Sequence, residues 1–300
     1  MNLGGIGTLI GTPPNALMAA FMLDTFDVQI GFGQWMLLGV PLVIVSLPLV
    51  YLVLGKLVYP VKISRIPGGE SVIAEEISRS GAMTRAEKLV SCVFVTVAGL
   101  WITRPLLEEI IPNISDTGIA IFGAVLMFLL PANFRRLEFV LDWKDASRLP
   151  WGVLILFGGG LSLAAGITAT GLADWIGLAL SAVYWLPILV LLGLALLLTV
   201  FLTEVTSNTA TAAAFLPILA SVAITMGHDP RLLVVPAAIA ASCAFMLPVA
   251  TPPNAIVYGS GLVSIPQMAK AGLVLNILMV VVITATMYLL LGLVFGVAVG

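Results

Sequence analysis

The chain has 300 residues, 60% of them hydrophobic and only 9% charged, where soluble domains carry roughly 25% charged residues, and its formal net charge is −2. A mean hydropathy of +1.16 places it in lipid, and without a basic surplus no nucleic-acid partner is implied. The apolar runs are long and continuous instead of alternating, so an all-α integral membrane protein is expected and a membrane barrel is not.

In chain order, a broken helix over 5–20 carries "GTPPNA" at 11–16, and a first full span follows at 35–54. Residues 55–88 form a loop in which 66–88 set apolar residues among charges at helical spacing, a pattern for a helix lying on the membrane surface or for a solvated linker helix. Spans are expected at 89–103, 117–131 and 151–172. The small-residue run "FGGGLSLAAG" in the last of these reads as close helix packing. Two apolar halves over 184–226 are joined by the polar "TEVTSNTA", as in a re-entrant hairpin or two full spans. A second broken helix, 231–265, carries "ATPPNA" at 250–255, and a span over 271–298 closes the chain. Cys92 and Cys243 lie in or beside apolar segments and read as small packing residues, and the single histidine, His228, has no sequence neighbours to complete a metal site.

Basic residues orient this order. Residues 1–55 hold none, whereas Lys56, Lys62, Arg65, Arg79, Arg85 and Lys88 fall in 56–88 and Arg135, Arg136, Lys144 and Arg148 in 135–148. The positive-inside rule puts both clusters on the cytoplasmic face, with two spans between them. A re-entrant 184–226 then leaves its tip at membrane depth and the two TPPN segments crossing in opposite directions. That is an inverted repeat of two halves: residues 1–54 as the remainder of the first, 89–300 as the second.

The two motifs agree at Thr12/Thr251, Pro13/Pro252, Pro14/Pro253, Asn15/Asn254 and Ala16/Ala255. Consecutive prolines break a helix and free carbonyls before them. At membrane depth such backbone survives only around a cavity or inside protein. Freed carbonyls with Thr and Asn side chains suit a small cation. Ser207, Asn208 and Thr209 at a hairpin tip offer the converse: a helix N-terminus whose amides can hold an anion without any Arg or Lys. Interhelical hydrogen bonding alone is the plainer reading of these residues. Glu204, the one carboxylate here, either serves transport directly or braces the hairpin backbone.

"TEVTSNTATA" followed by "ATPPN", with "GGIGTLIGTPPN" as the counterpart, resembles the divalent-anion/sodium symporter family of dicarboxylate, tricarboxylate and sulfate carriers over essentially the whole chain. The resemblance implies a multi-pass carrier of the inner (plasma) membrane, working as an elevator-type homodimer and coupling sodium to uptake of anions such as succinate, malate or fumarate. It implies no cofactor beyond Na+ as coupling ion, and no enzymatic activity. Ser207, Asn208 and Thr209 would then hold substrate, with the Thr-Pro pairs Thr12–Pro13 and Thr251–Pro252 closing the sites. One sodium site would use Thr203, Asn208 and the backbone of Thr206 and Ala250, and the other would include Gly11 with Thr12. Ser207 precedes Thr251 by 44 positions, and the same offset before Thr12 falls upstream of residue 1. The expectation is therefore an N-terminally truncated member, lacking the first hairpin and transporting poorly alone.

Other readings within and beyond this class are a sulfate or tricarboxylate carrier, an anion exchanger, an arsenite or proton-coupled carrier, and a metabolite-sensing membrane subunit. An intramembrane enzyme would need a nucleophile and a base, and Ser207 has only Glu204 to serve it.

Overall fold

A computed structural model describes residues 2–60, 69–133, 137–149, 151–179 and 185–297. The basic residues Lys62, Arg65, Arg135 and Arg136, the expected hairpin start at 184 and the expected chain-closing residue 298 lie outside the described residues. Among the described residues, five helices are long and apolar enough to cross a membrane: Phe32–Val58, Arg85–Leu107, Gly152–Ala169, Asn208–Thr225 and Ile265–Phe295. The protein is accordingly a multi-pass, overwhelmingly helical membrane protein. Among the described residues the departure from helix is a two-stranded antiparallel ribbon, β1 (Pro131–Asn133) with β2 (Glu138–Phe139).

The chain divides into two compact units, Met1–Tyr59 with Gly152–Gly300, and Pro60–Trp151. The expected spans 89–103 and 117–131 both fall in the smaller unit.

In the smaller unit, α4 (Gly69–Ser80) carries an i,i+4 Arg79–Glu75 pair on its exposed surface. Helix α5 (Arg85–Leu107) opens with a capping box in which Thr84 and Glu87 satisfy each other's backbone amides. Helix α6 (Asp116–Leu129) opens on a Ser115 cap, and Val93, Val97 and Ile119 form the seam between the two. A Cβ on Gly123 would sit 2.5 Å from Val97 Cγ2, so glycine there sets the approach of the pair. Arg104 is buried with its Nε 3.4 Å from Asp116, an opposite charge to pair it where water is withdrawn. The short α7 (Trp143–Ala146) completes the unit.

The larger unit begins with α1 (Asn2–Ile6), then α2 (Pro13–Phe26), whose Pro at the first helical positions fits where amides have no intrahelical partner. Asp27, at φ 55°, ends it. Helix α3 (Phe32–Leu52) contains Pro41 and Pro48 and loosens into a π-helical stretch, Val53–Val58. After α8 (Gly152–Ala169) and α9 (Leu172–Ala179) come the two hairpin helices, α10 (Ile188–Thr203) and α11 (Asn208–Thr225). Of the small residues in α8, Gly160 does the packing: a Cβ there would lie 3.0 Å from Ala213 Cβ, while Gly158, Gly159 and Gly166 face open space.

The second broken element is α12 (Arg231–Ala241) and α13 (Pro252–Gly259), and α14 (Ile265–Phe295) follows. Helix α13 stops well short of 265 because the Ser260–Gly261 turn, with Gly261 at φ 72°, ends it, and α14 starts from its own Ser264/Gln267 capping box. Helix α12 is buried from Leu232 to Ala241. Its 11 residues span about 16 Å at 1.5 Å per residue, about half of a 30 Å hydrocarbon core. Helix α14 has its last carbonyls capped from outside: Gln34 Nε2 donates to Val294 O at 3.0 Å and Arg231 Nη1 to Phe295 O at 2.9 Å.

Candidate functional site

Each TPPN motif sits where its prolines predict. The first break covers residues 7–12 between α1 and α2, and the second 242–251 between α12 and α13. Thr12 and Thr251 are the N-cap residues of the helices that restart, both with extended backbone. The motif asparagines do the same work in each copy. Asn15 Nδ2 donates to Thr8 O at 3.1 Å and Asn254 Nδ2 to Leu247 O at 3.0 Å, in each case seven residues back along the chain. The same two carbonyls accept a turn amide, Gly11 N to Thr8 O and Ala250 N to Leu247 O, each at 3.2 Å, so each asparagine ties a turn of the break to the helix that restarts.

The two breaks lie against each other. Ser242 Oγ donates to Thr12 Oγ1 at 3.1 Å, and Asn2 Nδ2 reaches Thr251 Oγ1 at 3.1 Å and Ala244 O at 3.2 Å. Each is also crossed by a glycine of the following long helix. A Cβ on Gly39 of α3 would fall 2.6 Å from Ile6 O, and one on Gly272 of α14 would fall 2.4 Å from the Phe245 carbonyl. Trp35 Nε1, fully buried, donates to that same Ile6 O at 2.9 Å.

The hairpin tip 204–207 meets the second break. Thr203 Oγ1, fully buried, is 2.8 Å from both Asn208 Oδ1 and Ala241 O, the last carbonyl of α12. Glu204, 3% exposed, accepts from the amides of Phe245 at 2.7 Å, Met246 at 2.9 Å and Leu247 at 3.0 Å. Asn276 Nδ2 of α14 donates to the same carboxylate at 2.8 Å. Ser207 is exposed at the N-cap of α11 with no side-chain capping bond, so its hydroxyl is available to a ligand, and Thr209 is buried in the first turn. The Thr206 hydroxyl turns back to Leu202 O at 2.9 Å and pairs with Thr211. Ala250 is nearly buried just before Thr251, and Gly11, Pro13 and Pro252 are exposed at the mouths of the breaks.

The electrostatic division between these parts follows from their first turns. Helix α11 begins without proline, so its leading amides and the positive end of its dipole stay available to an anion. Helices α2 and α13 begin with two prolines, which removes two of those donors, and the breaks before them present oxygens instead. One face suits an anion and the other a cation.

The sequence family described as the sodium:sulfate symporter transmembrane region matches residues 1–299. The chain belongs to that family. Among curated proteins it is 45% identical over 299 residues to the sodium-dependent dicarboxylate transporter SdcS of Staphylococcus saprophyticus, covering 98% of this chain and 58% of that relative. The SdcS protein of Staphylococcus aureus strain USA300 is 44% identical over 300 residues, with the same coverage. The chain thus spans 58% of the length of the curated relatives it matches. These relatives are transporters from a symporter family, which sets aside the enzyme reading.

The structure brings Thr203, Asn208 and the second break together. Reasoning from sequence missed three contributors: Ala241 O, Ser242 and Asn276. Ala241 is the last helical residue before a break, and a carbonyl is freed there by rule, so that signal was present. Asn276, fully buried in an apolar helix, was visible as the lone amide of its span. Ser242 announced itself by nothing but contact.

Proposed function

We propose that this chain forms part of a sodium-coupled carrier of small divalent organic anions, with C4-dicarboxylates such as succinate, malate and fumarate as cargo. The observation that carries the reading is the meeting of the hairpin tip with the second break: an amide-rich helix N-terminus lies within a few residues of a set of inward carbonyl and hydroxyl oxygens. The function for which the relatives are named, sodium-dependent dicarboxylate transport, supports the same assignment of charges.

Substrate carboxylates would be held by Ser207, Asn208 and Thr209, with the Thr12–Pro13 and Thr251–Pro252 corners closing over them. One sodium ion would be held by Thr203, Asn208 and the carbonyls of Thr206 and Ala250, to which the position of Ala241 O adds a further oxygen. The other would involve Gly11 and Thr12. Asn15 supports this second assignment, because its Oδ1 is buried and has no hydrogen-bond partner among the described residues. The half-bilayer length of α12 supports a re-entrant hairpin with its tip at membrane depth. The matched roles of Asn15 and Asn254, and of Gly39 and Gly272, support an inverted repeat. All these residues fall within one compact unit, which favours an elevator that moves the whole site. A homodimer in the plasma membrane completes the proposal.

The test is uptake of labelled succinate into proteoliposomes with and without an inward sodium gradient, for this chain alone and extended upstream in its own reading frame. Sodium-driven succinate uptake by the extended form is the expected result. Uptake indifferent to sodium would overturn the coupling. Sulfate carriage is the second reading, favoured by the family's description, and sodium-driven uptake of labelled sulfate with none of labelled succinate would establish it instead.

A further inference from the structure

We infer that Glu204 is a positioning residue, whose carboxylate stands in for the missing helix of the second break and so sets the backbone oxygens of the candidate cation site; the inference rests on the reading of that site given above. Helix α12 ends at Ala241, and the amides that follow have no carbonyl four residues back to meet them. Three in succession, those of Phe245, Met246 and Leu247, turn to one carboxylate at 2.7, 2.9 and 3.0 Å. Successive amides converging in this way form an anion-binding concavity. Here the anion is a side chain of the protein itself.

Asn276 Nδ2, at 2.8 Å, is the fourth donor to that carboxylate. Oε1 takes the amides of Phe245 and Met246 with Asn276, and Oε2 takes the amide of Leu247. Three of the four donors are backbone amides of the break, so Glu204 acts through what it holds. Its burial, 3% exposed, is sustained by these bonds in place of water. Asn276 is fully buried in the middle of α14, and its own Oδ1 has no partner among the described residues. The amide group is therefore placed for Glu204 and not for its own satisfaction.

With the amides turned to Glu204, the carbonyls of the same stretch face elsewhere. Ala244 O and Leu247 O both accept from Asn254 Nδ2 at 3.0 Å. The neighbouring residue, Thr203, meets Ala241 O and Asn208 from the same helix end. Two adjacent side chains thus fix both borders of the oxygen-lined space, one through carbonyl and amide oxygens and one through backbone N–H groups. Losing the carboxylate frees the 245–247 backbone to rotate, and the oxygens rotate with it.

Hydrogen exchange of the chain in lipid nanodiscs, followed over a sodium chloride titration, tests this. In Glu204→Gln, exchange at 245–247 is expected to rise about tenfold or more, as for loss of a charged hydrogen bond. Exchange in α3, α5 and the ends of α14 should not change. The sodium concentration that half-protects residues 203–209 should rise by about the same factor, which a purely structural brace would not move. Adding Asn276→Asp to that variant returns a carboxylate to the pocket and should recover part of both effects. Asn276→Leu keeps the carboxylate and its three backbone partners, so a rise of about threefold is expected, and it serves if Glu204→Gln does not fold. Wild-type exchange at 245–247 in these variants, or acceleration spread evenly over all helices, would overturn the proposal. Exchange unaffected by sodium in the wild type would instead overturn the cation site and the link to it, and the exchange ratio at 245–247 would then decide the brace alone.

Discussion

The two TPPN breaks share five residues and are supported in different ways. In the second, Glu204 collects three amides, Thr251 caps Asn254 N at 3.4 Å, and Asn254 serves two carbonyls. In the first, among the described residues, no carboxylate accepts from the amides of residues 7–12. That break folds onto itself: a Cβ on Gly11 would lie 2.2 Å from Gly5 O, and one on Gly5 would lie 2.7 Å from Gly11 O. Thr12 makes no capping bond and instead accepts from Ser242, and Asn15 keeps a buried oxygen without a partner. The motif specifies where a helix stops and restarts. What holds the gap open is supplied by whatever packs on it.

The largest effect expected from disturbing either break comes from the crossing glycines. Gly272→Ala places a methyl against the Phe245 and Met246 backbone, which cannot move like a side chain, and should cost about 3 kcal/mol, read as a fall in thermal unfolding temperature in detergent. Gly39→Ala meets Ile6 O at a slightly greater distance and should cost somewhat less. Equal tolerance of both would mean that the long helices do not set the breaks.

The asparagines come next. Asn254→Ala removes two hydrogen bonds to carbonyls and should destabilise by about 2 kcal/mol, whereas Asn15→Ala removes one and should cost about 1 kcal/mol. Protection against unfolding by added sodium separates them further: loss of the unpartnered Asn15 oxygen should weaken it in Asn15→Ala even where stability is little changed. A smaller contrast is expected at the caps. Thr251→Val loses a cap bond and should cost about 1 kcal/mol, while Thr12→Val, which has none to lose, should cost less. A double-mutant cycle of Thr12→Val with Ser242→Ala would show how much of the Thr12 effect is its contact across the breaks.

The smallest effect concerns the far end of α12 and depends on pH. Burial works against the Asp229 carboxylate, but hydrogen bonds from the Arg231 side chain and backbone, and its charge, outweigh it and hold the group below the usual carboxylate range. A depressed folded-state value contributes stability that is complete above the ordinary Asp value, about 3.9, and is lost as pH falls through the lower folded one. A slight loss of stability is therefore expected only below about pH 4, and Asp229→Asn should abolish that dependence. An unchanged acid limb in Asp229→Asn would show that the pair contributes nothing to holding α12 to the α14 terminus.

Much of this was readable before any coordinates. Lipid forbids unpaired backbone, so the paired prolines of "GTPPNA" and "ATPPNA" marked helix breaks, and the polar "TEVTSNTA" marked the turn between two apolar helices. Composition determined the helical membrane class, and the prolines determined which helix starts could offer amides to an anion. Only the tertiary structure decided what Glu204 does, that Ala241 O and Thr203 meet, and that Asn2 and Ser242 tie one break to the other. Those contacts join residues from 38 to 249 positions apart. Local chemistry can require that a freed amide or carbonyl find a partner, but which partner it finds is set by how the helices pack.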